Sequence, residues 1–302
     1  EFESNSIEPS TGSKVNEWLT HPAFTNFDVN GIWVGKFETG YKGATSFSSA
    51  QVNTADSSKV IIKPNVYSWR NSTVSNIFKT AYNYNRELDS HMMKNTEWGA
   101  LAYLSHSKYG INTEVRINNN SNYLTGYAAT DETNQLSFSG ETGTDPTKTL
   151  PYNTETGYKA STTGNITGIY DISGGAWEYV AGYMPSSNDK SGFTLTELNT
   201  YSKYLDLYPS NSIITSYNNR ILGDATGEMG SFYYYKDKDG NKRYHNNWYG
   251  DYSFFVDSNN LWFNRGGHYH YGILAGQFNF CRDNGSAYTC LLYTSDAADD
   301  TP

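Results

Sequence analysis

The most constraining feature of this sequence is an aromatic stretch interrupted by adjacent glycines, and it occurs twice. Residues 167–183 read TGIYDISGGAWEYVAGY, and residues 262–282 read WFNRGGHYHYGILAGQFNFCR. Gly174-Gly175 and Gly266-Gly267 permit backbone angles that other residues resist, so each pair predicts a tight turn feeding a packed aromatic segment. If residues 176–180 run as a strand, alternation puts Trp177 and Tyr179 on one face and the Glu178 carboxylate on the other.

The segment from Gly168 to Tyr179, with Asn264-Arg265-Gly266-Gly267-His268-Tyr269 and Cys281-Arg282, resembles the formylglycine-generating-enzyme-like (sulfatase-modifying-factor) family. That family typically carries G-L-Y-D-M-x-G-N-V-W-E-W, then L-R-G-G-S-W followed by C-R. Upstream, residues 30–39 (NGIWVGKFET) resemble its entry strand, and residues 92–104 (MMKNTEWGALAYL) resemble its T-E-A-E-W helix. The four motifs stand in the family's order. The resemblance implies an α+β, C-type-lectin-like fold: loop-rich, with short antiparallel strands and two main helices. It implies one such domain over residues 17–289, preceded by an N-terminal extension over 1–16. A fold hosts many functions, so it implies less about activity.

The chain has 302 residues, 27 of them Tyr and 27 Gly, with only 18% charged. Low charge with abundant Tyr, Asn, Ser, Thr and Gly suggests an extracellular or cell-surface module; an ordinary domain with a polar surface is the plainer alternative. The net charge of −9 argues against a nucleic-acid partner. No run of 18 apolar residues is present to cross a membrane as a helix. No leader is read at the start, so a membrane or pilus anchor would come only through a missing upstream segment.

Residues 290–302 resemble the conceptual translation of a transposon-type sequencing-library adapter, in a fragment of a metagenomic gene. They are expected to be a non-native tail, a natural acidic tail being the alternative. On that reading a Cys281–Cys290 disulfide, which the count of two cysteines invites, is an artefact.

Along the chain, Val74, Ile77, Phe78 and Ala81 recur at helical spacing and predict a helix over 72–84, with Ser72 or Thr73 as cap. A second helix is expected over 96–104, capped by Thr96, with Trp98, Leu101 and Ala102 inside. His91 and His106 lie near its ends and suggest surface or capping roles. Residues 111–161 read as long surface loops, 196–205 as a helix, and 232–242 as strand, turn, strand. Trp98, Tyr170, Trp177, Trp262 and Phe280 are expected in the core.

The resemblance implies one candidate enzyme activity, copper-dependent oxidation of a substrate cysteine to formylglycine. In aerobic members two thiolates bind the copper, four and nine residues past the second Gly of R-G-G. Tyr271 and Gly276 stand there, so no copper is expected. A second branch uses a His-x-x-x-His-x-Glu iron site, and that spacing is absent from the sequence. His268-x-His270 supplies at most two metal ligands. No G-x-S-x-G elbow, P-loop or dinucleotide fingerprint appears. The resemblance also implies a structural Ca²⁺ held partly by Glu178; an ordinary hydrogen bond or ion pair for Glu178 is the alternative.

The residues after the R-G-G turn point instead to binding: His268, Tyr269, His270, Tyr271, Gln277, Asn279, Arg282, Asp283 and Asn284, extended by Trp248 and Tyr249. Tyr and Asn make adaptable contacts at low entropic cost. Lectin-like proteins diversified by retroelements in bacteria and phages vary this same region. Gut Firmicutes proteins with very similar motifs often begin with a pilin-like leader. The expected function is therefore a non-catalytic adhesin or receptor-binding module of a bacterial or phage surface protein, with a surface glycan or protein as ligand. The alternative is a formylglycine-generating-type oxidoreductase, or another enzyme acting on a protein. Simple alternation of these residues between core and surface is the plain reading.

Overall fold

The computed structural model describes residues 2–4, 17–19, 21–25, 31–130, 149–209, 221–226, 235–236, 242–243, 245–246, 248–287, 291–292 and 294–297. Over these residues the chain is mixed α+β and loop-rich, with short strands and helices α1 (Pro22–Thr25), α2 (Val74–Tyr82), α3 (Asn95–Leu104) and α4 (Leu195–Thr200). Strands Asp206–Leu207, Glu178–Tyr183, Trp262–Arg265, Phe280–Asp283 and Tyr252–Ser253 lie side by side in that order. The two glycine-turn stretches are thereby neighbours, antiparallel, with Tyr183 opposite Trp262, Tyr179 opposite Asn264 and Glu178 opposite Arg265.

The sheet is mixed where antiparallel strands were expected. Asp206–Leu207 runs parallel to Glu178–Tyr183 because the connection between them, carrying α4, returns the chain to the same end. Ser253 pairs parallel with Phe280, the Trp262–Arg265 strand supplying the reversal between them.

Alternation along the strands builds two cores. Val180 and Phe263 join Trp98, Leu101, Phe278 and Phe280 in one cluster, whereas Tyr179, Ala181 and Trp262 join Val74, Ile77 and Phe78 in the other. Helix α3 covers the first face and α2 the second, so all six residues of Glu178–Tyr183 are buried. Tyr179 and Glu178 do point to opposite faces, but neither face is open to solvent. Of the five expected core aromatics, Trp98, Tyr170, Trp262 and Phe280 are fully buried and Trp177 is half-buried.

Helix α2 forms as its periodicity predicts, and Thr73 Oγ1 accepts from Asn76 N at 3.4 Å. Helix α3 begins earlier than expected. Lys94 is its N-cap, and Glu97 closes the first turn by accepting from Lys94 N at 2.8 Å. Thr96 is inside the helix, where its N–H donates to Asp206 Oδ2 at 2.8 Å. His91 is not a surface residue either: it is fully buried, with Nε2 2.9 Å from Glu97 Oε1.

Segments near both ends of the chain also pair. Phe2–Ser4 pairs antiparallel with Glu17–Leu19. Leu291–Leu292 runs parallel to Glu178–Tyr183, and Thr294–Ala297 lies between Ile32–Val34 and His91–Met92. Backbone pairing is open to any extended segment, whatever its side chains. Cys290 lies outside the described residues, and Cys281 is buried and in no disulfide.

Candidate functional site

Three buried carboxylates gather behind the first glycine turn. Asp171, with φ 63°, accepts from Gly126 N at 2.9 Å and Asn118 Nδ2 at 3.2 Å. Glu38 accepts from Ser68 Oγ. Glu178 follows the turn, and neither of its oxygens receives a hydrogen bond from a described residue; the same holds for Glu38 Oε2. Burial pushes all three carboxyls up, Asp171 to about 7, and the charges of Glu38 and Asp171 add to the effect on Glu178. The glycines make room here: a Cβ on Gly175 would lie 3.2 Å from Glu38 Oε2, and one on Gly266 would lie 2.9 Å from Glu178 Oε2. Hard, unpartnered carboxylate oxygens suit a Ca²⁺ ion. Among the described residues, however, no group of three or more His, Cys, Asp or Glu side chains is arranged to hold a metal. Any cation at Glu178 and Glu38 would draw further oxygens from elsewhere.

The second glycine turn leads not into a strand of alternating aromatics but into the 3-10 segment Tyr269–Leu274, kinked at Gly272. The tight coil turns His268, Tyr269, His270 and Tyr271 into one aromatic patch, all four half-buried. His268 packs on Tyr271 with centroids 4.5 Å apart, and both rings contact Trp177. Tyr271 also meets Tyr252 at 5.7 Å, and Tyr269 meets Tyr123 at 5.1 Å. Tyr123 in turn stacks near Phe47, with the Arg70 guanidinium 4.1 Å from the Tyr123 ring centre. Phe47, at 42% exposure, ends this ridge. Burial, then the neighbouring His270, holds His268 down at about 4, so it is neutral near pH 7. Its Nδ1 accepts from His270 N at 3.2 Å.

The other expected binding residues separate from the patch. Gln277 and Asn279 are fully buried, a correction to their place on an outward face. Gln277 Nε2 donates to Ser105 Oγ, and Asn279 Nδ2 donates to Leu274 O at 2.7 Å. Arg282 pairs with Asp257, and its guanidinium stacks 3.7 Å from the Phe254 ring centre. Asp283 accepts from Tyr179 Oη at 2.9 Å, and Asn284 O accepts from Lys190 N at 2.9 Å, so both serve the sheet end. Tyr249 is 44% exposed and bonds His106 Nε2 through its hydroxyl; the side chain of Trp248 lies outside the description.

Arg265 sits under the turn, donating to Asp224 O at 3.2 Å, Ala225 O at 3.3 Å and Asn95 Oδ1 at 3.3 Å. Sequence reasoning missed Phe47, Arg70 and Tyr123, which come from loops without periodicity. Comparison with protein-family models found no match, and comparison with curated proteins found none either.

Proposed function

We propose that this chain is a non-catalytic ligand-binding module, the adhesin or receptor-binding part of an extracellular bacterial or phage surface protein. We assign it a C-type-lectin-like fold of the formylglycine-generating-enzyme-like kind. The observation that carries the reading is the coil of His268–Tyr271 against Trp177 and Tyr123, which gathers aromatic rings with polar edges on one partly exposed surface. Rings with few rotatable bonds offer contact area at low entropic cost, and their hydroxyl and imidazole edges give direction to hydrogen bonds. That chemistry suits a glycan or a protein surface. A structural Ca²⁺ near Glu178 belongs to the same proposal, as support for the turn beneath the patch and not as a reacting group.

The test is adherence of the purified domain to immobilised mucin and to a printed glycan array. Replacing Tyr269, His270 and Tyr271 together by Ala should abolish adherence while moving the melting temperature by only about 2–4 °C. Retained adherence, or loss of the folded state, would overturn the assignment of these residues.

A further inference from the structure

The turn that carries Tyr269 and Tyr271 also sends Ile273 into a separate cleft of about 630 Å³. None of the patch residues lines it. Its walls are chemically divided. Tyr249 and Ile273 form an apolar lip, 44% and 51% exposed. Arg116 and Lys159 face the same space from the segments joined by the Arg116 N to Lys159 O hydrogen bond of 2.9 Å. Arg116 is steadied by donation to Thr130 O, and Lys159 is exposed. Neither cation forms an ion pair with a carboxylate among the described residues, in a chain where acidic residues outnumber basic ones 31 to 22.

Glu114 lines the same cleft, and behind it stands the fully buried Asp251. Burial, then the neighbouring charge of Glu114, pushes the Asp251 carboxyl up. Arg116 and Lys159 give the cleft its positive wall. Tyr249 is held at its lip with φ 60°, a backbone region that a bulky residue rarely adopts, and it stacks on Phe278 at 6.2 Å. An exposed ring fixed in a strained conformation beside convergent polar groups is the arrangement expected of a binding cleft of this size.

We propose that this cleft is a second binding site, for a short anionic saccharide. Arg116 and Lys159 receive the acid group, Tyr249 and Ile273 cover the face of a sugar ring, and Glu114 bonds a ring hydroxyl. A guanidinium beside an ammonium matches a carboxylate or a sulfate, and an aromatic face matches the C–H face of a pyranose. A long polyanion such as nucleic acid fits poorly, because the net charge of −9 repels it.

Titration calorimetry on the intact chain tests this with three probes: trigalacturonate, its fully methyl-esterified and hence neutral form, and a sulfated trisaccharide. Binding of either acidic probe, without binding of the ester, is the expected result, and the probe that binds tells carboxylate from sulfate recognition. Lys159→Glu, on an exposed side chain, should weaken that binding about tenfold with an unchanged melting temperature. Tyr249→Ala should weaken it as well. The Tyr269, His270 and Tyr271 alanine variant should leave it intact, so failure of the patch and failure of the cleft are distinguishable. Absence of binding by both acidic probes, equal binding of the ester, or indifference to Lys159→Glu would each overturn the proposal.

Discussion

Asp251 fills the space in which a side chain at position 276 would have to stand: a Cβ on Gly276 would fall 1.9 Å from Asp251 Oδ1. Asp251 cannot easily move away, since it is fully buried and its Oδ2 accepts from Phe278 N at 2.9 Å. Position 276 is also the second of the two places where the resembled family carries a copper-binding thiolate. Here that position holds a glycine, and the room for a side chain is taken.

Gly276→Cys is therefore expected to destabilise the fold by about 1–3 kcal/mol or more, through overpacking against a buried carboxylate. The double variant Tyr271→Cys, Gly276→Cys should acquire no copper-dependent oxidation of a cysteine-containing sulfatase peptide. Thermal unfolding and a peptide-oxidation assay check the two halves. Parent-like melting together with turnover would show that the thiolate site is latent here.

The carboxylates of Glu38, Asp171 and Glu178 give a pH signature. Burial raises Asp171 to about 7 from an ordinary 3.8, and Glu178 is raised as well. The folded state thus holds protons that the unfolded chain releases. That stabilisation is complete below the unfolded-state values near pH 4 and is lost as the pH rises, for Asp171 through about 7 and for Glu178 through its own raised value. His21 and His268, both held near 4 by burial, act oppositely, costing stability as the pH falls below about 6.5. Comparison of variant with parent at each pH removes their effect. In chelator, Glu178→Gln should exceed the parent in melting temperature at pH 8 and converge with it at pH 5. Added Ca²⁺ at pH 8 should stabilise the parent and not the variant. Equal stabilisation of both would remove the cation from Glu178.

What the sequence made legible was local. Helix α2 follows from Val74, Ile77, Phe78 and Ala81 with Thr73 before them, because a helix repeats its face within one segment. The pairing of the two glycine-turn stretches was not legible, because shared aromatic content does not say which strands lie side by side. The start of α3 was legible only in part: Glu97 closes the first turn three residues after Lys94, but Asp206, which accepts from Thr96 N, lies 110 residues beyond it. The patch was not legible either, its partner Tyr123 coming from a loop. Alternating aromatics over 268–271 look like a strand until Gly272, with φ 53° and ψ −132°, is seen to kink a 3-10 coil. Gln277 and Asn279 look like surface residues because polarity does not reveal that a hydrogen-bond partner waits inside.

Those two residues give a sharp contrast with the patch. Asn279→Ala removes the donor that holds Leu274 O and leaves that carbonyl without it, at a cost of about 1–3 kcal/mol. His270→Ala, on a half-buried ring of the patch, should cost much less. Denaturant unfolding of the two variants side by side checks the order. The reverse order would place Asn279 outside the core.

The last prediction concerns the start of α3. Its first turn meets two carboxylates at the positive end of the helix. Asp206 Oδ2 accepts from Thr96 N at 2.8 Å, and Asp206 Oδ1 lies 3.0 Å from the buried Lys94 Nζ. Glu97 accepts from Lys94 N and faces His91. Asp206→Ala would remove the acceptor of Thr96 N and take the carboxylate from the buried Lys94 ammonium together, for a loss of about 3–5 kcal/mol. Asp206→Asn keeps an acceptor for Thr96 N and gives up only the charge, so its loss should be smaller. Lys94→Met in the Asp206→Ala background should restore part of the stability, because it withdraws the stranded ammonium. Since α3 carries Trp98, whose Nε1 donates to Gln277 O at 2.9 Å, the Asp206→Ala variant should also change the tryptophan fluorescence of the folded state. Near-parental stability of Asp206→Ala, or no rescue by Lys94→Met, would show that packing of α3 on the sheet, and not the charges at its first turn, fixes where the helix begins.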